Sequence, residues 1–462
     1  MFKTIASKIQ YPAWVRECPR YRDLDLRDRL LDGTFYDHLM HSFYDEIDHQ
    51  KNAIALEDRR PTAQFRLPRM VARWCSRKLF AGRHKPRIRH PDKELAKRVE
   101  GIAARCAFWQ RMSEAVMRGS IGCCAATFRI EEKEGQDPQV AVRIWHAKYC
   151  EPSFDPMGQL SQLRIQYVTT FAYFLAKGYK TALGEEFEPN DKVWFIRDYL
   201  TDSEITYAPI REIDWDPVHG FILEPERQMV PWLAYEHKLG FVPAHWFVNL
   251  PQNEGEANGG CTFEDAIPNS IELDYTLSQV GRGVRYNCAP QLVVVGDVLN
   301  AEQEITRSPM TALQLSAGHK TEEGMVVNGG SAELLEMSGE GTRASLELIK
   351  SLRDLALEQI SASRKDPEKV KGPMSGRAME YMDEDSVDLI MDIRSQYGDY
   401  GALPLLKKIC LATRIIKDND VGALTLQWPR IFQPTPDELL AIINGLMQAT
   451  GLALVKPPTA GP

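Results

Sequence analysis

The chain has 462 residues, 44% of them hydrophobic and 26% charged, and a formal net charge of −8. That balance supplies apolar surface for large cores and excludes a disordered chain, and the length suits about three domains. Nine cysteines, an odd number with no C-x-x-C pair among them, argue against a disulfide framework or a zinc site and for reduced thiols.

The N-terminus lacks a sustained apolar segment, and the most apolar run, Tyr167 to Ala176, is too short to cross a bilayer. Neither secretion nor a membrane span is expected. Residues 20–130 read as helical with one strand at the exit. Leu31-Asp32-Gly33 punctuates a first helical region, and a second spans Arg66 to Phe80, with Gly82 placed to end it in a left-handed turn. Another helix starts near Phe108 and stops at Gly119-Ser120-Ile121-Gly122, after which Ala126 to Ile130 reads as a strand. From about 139 to 250 the period shifts to two: Leu163, Ile165 and Tyr167 alternate, Val193 to Ile196 is a short buried run, and Glu204 to Ile210 alternates again. The expected fold class is α+β.

Two long amphipathic segments follow, Phe263 to Tyr286 and Thr342 to Ala362. Leu273, Leu277, Val280 and Val284 share a stripe on the first, and Leu348, Leu352 and Leu355 share one on the second. At 1.5 Å per residue these helices reach roughly 36 Å and 31 Å, long for an ordinary core. Between them, apolar runs at 291–295, 311–315, 324–327 and 333–337 predict a small β-rich insert, with a short helix near Glu302 to Arg307. A basic loop, Ser363 to Pro373, comes next. Ser375 to about Lys417 is expected to be mainly helical, with Gly398, Gly401 and Pro404 predicting a kink or break. Leu424 to Trp428 reads as a strand, and Pro434 to Asp437 caps a last helix, Glu438 to Thr450.

Charge is unevenly spread. Residues 59–98 hold Arg and Lys at fourteen positions, interrupted only by Asp92 and Glu94, whereas the remainder is acidic. A solvated face, pairing with an acidic neighbouring subunit and phosphate contact all remain open for this stretch.

Signatures of catalysis were sought and none emerges: the chain offers no catalytic, cofactor-binding or metal-ligating set. Gly318-His319-Lys320-Thr321 lacks the glycines of a phosphate loop, and Gly339-Glu340-Gly341-Thr342-Arg343-Ala344 has no parallel α/β alternation around it to make a dinucleotide site. His38 and His41, at i, i+3 on an expected helix, lack a third strong ligand. Adjacent Cys123 and Cys124 point to opposite sides and read as buried structural residues.

The order of these elements resembles the portal, or head-to-tail connector, proteins of tailed double-stranded DNA bacteriophages. The resemblance covers nearly the whole chain. It rests on Leu31-Asp32-Gly33, Leu79-Phe80-Ala81-Gly82, Gly119 to Phe128, Gly240-Phe241-Val242-Pro243-Ala244, Asn249, Phe263 to Ile267, Ile271 to Ser278 and Met374-Ser375-Gly376-Arg377-Ala378-Met379, in that order.

The resemblance implies a portal-type fold: a wing at 1–262 and 375–428, a stem of two helices at 263–287 and 342–362, a small β-rich clip at 288–341, a tunnel loop at 363–374, and a short helical crown with a tail at 429–462. It implies a non-enzymatic ring, usually of twelve copies, at one capsid vertex of the virion, assembled in the bacterial host cytoplasm. Double-stranded DNA is packaged and ejected through such a ring, and the terminase, a head-tail adaptor and the major capsid protein are its partners. Arg364, Lys365, Lys369 and Lys371 then become the DNA-channel residues of the tunnel loop, and the two leucine and valine stripes become stem packing surfaces. The alternatives are another ring-forming phage structural or scaffold protein without DNA passage, and an enzyme acting on nucleic acid.

Overall fold

The computed structural model describes residues 1–45, 47–131, 138–179, 187–223, 228–250, 257–288, 291–295, 319–320, 326–327, 331–335, 340–359, 384–431, 440 and 443. Helices and strands are both abundant among them, so the fold is mixed α+β. By its internal contacts the chain divides into two units. One comprises Met1–His38, Arg66–Ser270 and Asp354–Pro462; the other comprises Leu39–Phe65 and Ile271–Arg353.

After two short helices, Phe2–Ser7 and Ala13–Glu17, the first unit enters helix α1 (Pro19–Asp32), which starts on a proline and stops where Gly33 takes a left-handed φ of 78°. Leu24, Leu26, Leu30 and Leu31 are buried along it, and so are Asp25 and Asp28. Burial alone would push these carboxylates toward neutrality. Instead Lys148 Nζ lies 2.9 Å from Asp25 and 2.8 Å from Asp28, while His146 Nδ1 reaches Asp28 at 3.1 Å. Desolvation raises the Asp28 pKa, but the His146 hydrogen bond and the Lys148 charge outweigh it and leave it at about 2. A paired charge cluster therefore ties α1 to the chain at 146–148.

Helices α2 (Leu67–Phe80), α3 (Lys93–Arg105) and α4 (Phe108–Gly119) follow, with a short strand β1 (Arg87–Arg89) after α2. Asp92 caps α3 by accepting from the backbone N–H groups of Glu94 and Leu95. Gly82 sits past the end of α2 with φ of 54°, as its sequence position suggested. Helix α4 buries Phe108, Trp109, Met112, Ala115 and Val116 at helical spacing.

Strands β2 (Cys123–Glu131), β3 (Gln139–His146), β4 (Cys150–Phe154), β5 (Leu160–Thr170), β6 (Lys192–Tyr199), β7 (Ser203–Tyr207), β8 (Pro231–Glu236) and β9 (Ala244–Val248) build two antiparallel sheets. One has the order β9-β2-β3; the other runs β8-β7-β6-β5-β4, with Ile210–Arg211 also paired to β6. Aromatic rings fill the larger sheet's core, where Phe171, Phe174, Tyr179 and Phe195 are buried together. The alternation expected over Glu204 to Ile210 resolves into two pieces, β7 and the Ile210–Arg211 pair.

The C-terminal part of this unit is one winding helix. It starts as α7 (Glu384–Arg394), widens into π-helical turns over Ser395–Ala402, and resumes as α8 (Leu403–Ala412). A kink or break was expected here; the irregularity takes the form of π-helical widening, and the helix continues. Pro404 has no N–H for the carbonyl of Tyr400, and its ring crowds that carbonyl. The widened winding, marked by the Leu403 N–H bonding to the Gly398 oxygen, absorbs the misfit without ending the helix. The strand β12 (Thr425–Gln427) pairs with β1.

The π segment is fixed by three close approaches. Tyr397 is fully buried, and its hydroxyl donates to Asn249 Oδ1 at 3.2 Å. Asn249 in turn donates through Nδ2 to the Gly260 oxygen and to Thr262 Oγ1, at 2.7 and 2.8 Å. Gly119 must lack a side chain because a Cβ there would collide with the Tyr397 hydroxyl. Gly401 lies against the Phe247 ring, and Gly398 against Trp428. Gly119→Ala should therefore destabilise the fold by about 2 kcal/mol through overpacking. In a double-mutant cycle read by chemical denaturation, Tyr397→Phe should recover part of that loss by removing the colliding oxygen. Strict additivity of the two changes would refute the contact.

In the second unit, short strands at His41–Ser42 and Arg59–Arg60 pair in parallel. Arg59 is buried, and its guanidinium donates twice to the Ile54 oxygen, at 3.0 and 2.7 Å. His38, in the first unit, belongs to a turn, and His41 to the short strand, so the pair does not share a helix face. The expected short helix at 302–307 and nearly all of the last helix, 438–450, lie outside the described residues.

Candidate oligomerisation and nucleic-acid interface

The long helices are α5 (Ile267–Cys288) and α6 (Glu340–Glu358), about 33 Å and 28 Å long at 1.5 Å per residue. Helix α5 begins at Ile267 rather than Phe263, because Pro268 belongs in a first turn where no N–H is required. Residues 262–266 form the turn that precedes it. Strands β10 (Gln291–Val295) and β11 (Ser331–Leu335) follow α5 and precede α6, pairing antiparallel from Gln291↔Leu335 to Val295↔Ser331. Among the described residues of the insert one further pair joins His319–Lys320 to Val326–Val327, so the near-miss phosphate motif lies partly on a strand.

Residues on α5 divide by depth. Leu273 is buried, Leu277 and Val280 are half-buried, and Val284 is 38% exposed. Between the apolar positions lies a polar pair that the hydrophobic pattern did not reveal. Asp274 Oδ1 accepts from the Phe65 N–H at 2.6 Å, and Ser278 Oγ bonds both the N–H and the oxygen of Ala63 at 3.1 Å. Both side chains are buried. Phe43 packs edge-on against Tyr275 with 5.6 Å between ring centroids, and Arg285 lies over Tyr44. The only sequence signal was the i, i+4 spacing of Asp274 and Ser278 beside buried positions, which puts them on one face.

Helix α6 differs. Leu348 is 52% exposed and Leu355 47%, while Leu352 and Ile349 are half-buried and Ala356 and Leu357 are buried. Leu346, which the stripe analysis passed over, is 47% exposed. With about 100° per residue, Leu348 and Leu355 emerge within about 20° of each other, beside Leu352 at one margin of the covered arc, whereas Leu346 lies about 20° from Leu357, in line with the covered face but about three turns nearer the N-terminus. Exposed apolar side chains thus extend the covered face sideways at one margin and lengthwise toward the helix start. An amphipathic helix that needs only one partner has polar margins. Here these leucines retain surface whose burial is favourable, on the order of 1 kcal/mol for each half-exposed side chain.

The four basic residues Arg364, Lys365, Lys369 and Lys371 lie outside the described residues. The basic stretch 59–98 is described, and it does not act as a unit. Arg59 is buried in the second unit as noted, and His84 is buried in the first. Arg66, Arg69, Arg73 and Arg77 recur along α2 at spacings of three and four; three are exposed and Arg69 is half-buried. Lys85 lies over the Trp109 ring, and Arg89 donates to Gln427 Oε1 at 2.7 Å.

Among the described residues no cluster of His, Cys, Asp or Glu has the geometry of a metal site, and no helix is long and apolar enough to cross a membrane. The described cysteines are free thiols, and both Cys123 and Cys124 are buried. Burial pushes the thiols of Cys75 and Cys410 up to about 12 and that of Cys123 up to about 11. Such thiols are poor nucleophiles at neutral pH.

The sequence matches no known protein-family model. Nor does any curated protein match it.

Leu348→Asp and Leu355→Asp change residues exposed in the single chain, so each should leave the fold intact. If these positions are packed by other copies, each variant should sediment as a smaller species than the parent at equal concentration. Unchanged sedimentation of both variants would remove α6 from the interface.

Proposed function

We propose that this chain is a portal subunit: many copies close into a ring whose channel conducts double-stranded DNA, with the terminase and head-tail adaptors docking on it. The observation that carries the reading is the set of exposed leucines on α6, Leu346, Leu348 and Leu355, on the second of two long helices that bracket the insert. A contact repeated head to tail sets such a surface against a neighbouring copy, and closure into a ring leaves no copy uncovered.

Two further features support the reading. The chain leaves the mixed α+β region along α5, forms an insert whose base is the β10·β11 pair, and returns along α6, an order matching the stem and clip of the family it resembles. The acidic balance also has a use in a DNA conduit. A wall that mostly repels a polyanion, with sparse cations, holds no phosphate long, because affinity climbs steeply with the number of neutralised phosphates.

In this reading Arg364, Lys365, Lys369 and Lys371 form the sparse cationic ring. Changing all four to Ser should preserve the assembly while slowing DNA translocation or lowering retention of packaged DNA, with the deficit largest at low salt. Packaging yield and retention equal to the parent across a salt series would refute the loop's role. An intact ring that never passes DNA would favour a structural ring of another kind.

A further inference from the structure

Arg394, the last residue of α7, is 5% exposed and has no counter-charge among the described residues. Its Nη1 donates to the Pro429 oxygen at 3.1 Å, but its Nε and Nη2 are buried and have no hydrogen-bond partner among the described residues. The guanidinium carbon lies 5.1 Å from the centroid of the Trp428 ring. Nε–H and Nη2–H form the side-on fork of a guanidinium, the pair of donors that grips two oxygens of one oxyanion.

Two other buried polar groups without a hydrogen-bond partner belong to the same unit, one of them on the ring beside Arg394. The indole N–H of Trp428 is buried and unpartnered, as is Nδ1 of the buried His84. Burial holds the His84 pKa down at about 4, and the charges of Lys78, Arg83 and Arg394, all positive, add to the effect. Burial likewise lowers the pKa of Arg394, with no carboxylate opposing it. Unsatisfied buried donors are rare in native folds and mark either strain or an absent ligand. The π-helical turns begin at the next residue, a winding that recurs at functional sites.

We propose that Arg394, the Trp428 indole N–H and His84 form a binding site for a small inorganic oxyanion, phosphate being the probe. The donors are closed off from bulk solvent, so the phosphates of a DNA duplex cannot approach them; a free ion entering by local opening can. The site does not depend on ring assembly, and its failure would leave the proposed function untouched.

The test is thermal unfolding of the full chain in rising phosphate, with ionic strength held by sodium chloride. The parent should show a saturable rise in Tm, or should release stoichiometric phosphate when the dialysed protein is denatured. Arg394→Met should lose both signatures. In phosphate-free buffer it should unfold at or above the parent's temperature, because it no longer buries an unpaired charge. Trp428→Phe keeps the ring and removes only the N–H, and should weaken phosphate binding several-fold. A linear rise shared by sulfate and by Arg394→Met would be general exclusion from the surface and would overturn the proposal. Absence of both a saturable rise and bound phosphate in the parent would overturn it equally.

Discussion

The buried Tyr397 hydroxyl, donating to Asn249 over a bare Gly119, is the contact on which the rest of the first unit depends. It joins pieces far apart in sequence: the end of α4, the turn after β9 and the π-helical turns near the C-terminus. Asn249 uses both polar groups of its side chain and its backbone N–H. Its amide group donates twice, its side-chain oxygen accepts from Tyr397, and its backbone N–H donates to the Gly122 oxygen at 2.9 Å. Gly259 donates to the same Gly122 oxygen, and Thr262 to the Ser120 oxygen. A buried network of this kind favours one arrangement, because any shift leaves an amide unpaired in low dielectric. The turn it fixes leads directly into α5. Lys408 on α8 adds a second tie, donating to the Val242 and Ala244 oxygens at 3.3 and 2.8 Å.

Much of this fold was legible in the sequence where local rules decide. Gly33 ended α1 because the left-handed turn strongly favours glycine, and the alternation at 163–167 and the buried run at 193–196 became β5 and β6. What stayed hidden depends on partners distant in sequence. Gly398, Gly401 and Pro404 read locally as helix breakers, yet two of them are sites where Trp428 and Phe247 press on the helix, and the third is absorbed by π winding. The apolar stripe of α5 gave no sign that Asp274 and Ser278 are buried, yet backbone groups of residues 63–65 dock on them. Arg394 carried no signal in the sequence. Its burial beside Trp428 comes from tertiary packing that periodicity cannot encode.

For the candidate interface the position of the stripes was legible and their depth was not. Leu273 and Leu348 occupy equivalent places in their heptads, but one is buried within the chain and the other lies half open to water. Periodicity shows which residues share a face and is silent on what covers it. Leu346 escaped notice for the complementary reason: it falls off the stripe, and its exposure matters only beside that of Leu348 and Leu355. The basic stretch offers a parallel lesson. Its run of charge suggested one surface, whereas the fold draws Arg59 and His84 inward and leaves the α2 arginines outside.

Copy number tests the central claim most directly. In this reading the exposed leucines of α6 are covered by a neighbouring copy, and a contact repeated head to tail must close or grow without limit. Native mass measurement of the purified chain, paired with electron microscopy of the same sample, reads both outcomes. The account predicts one closed species of about a dozen copies with a central hole. A monomer or a two-fold dimer that persists at high concentration, with no ring, would contradict it.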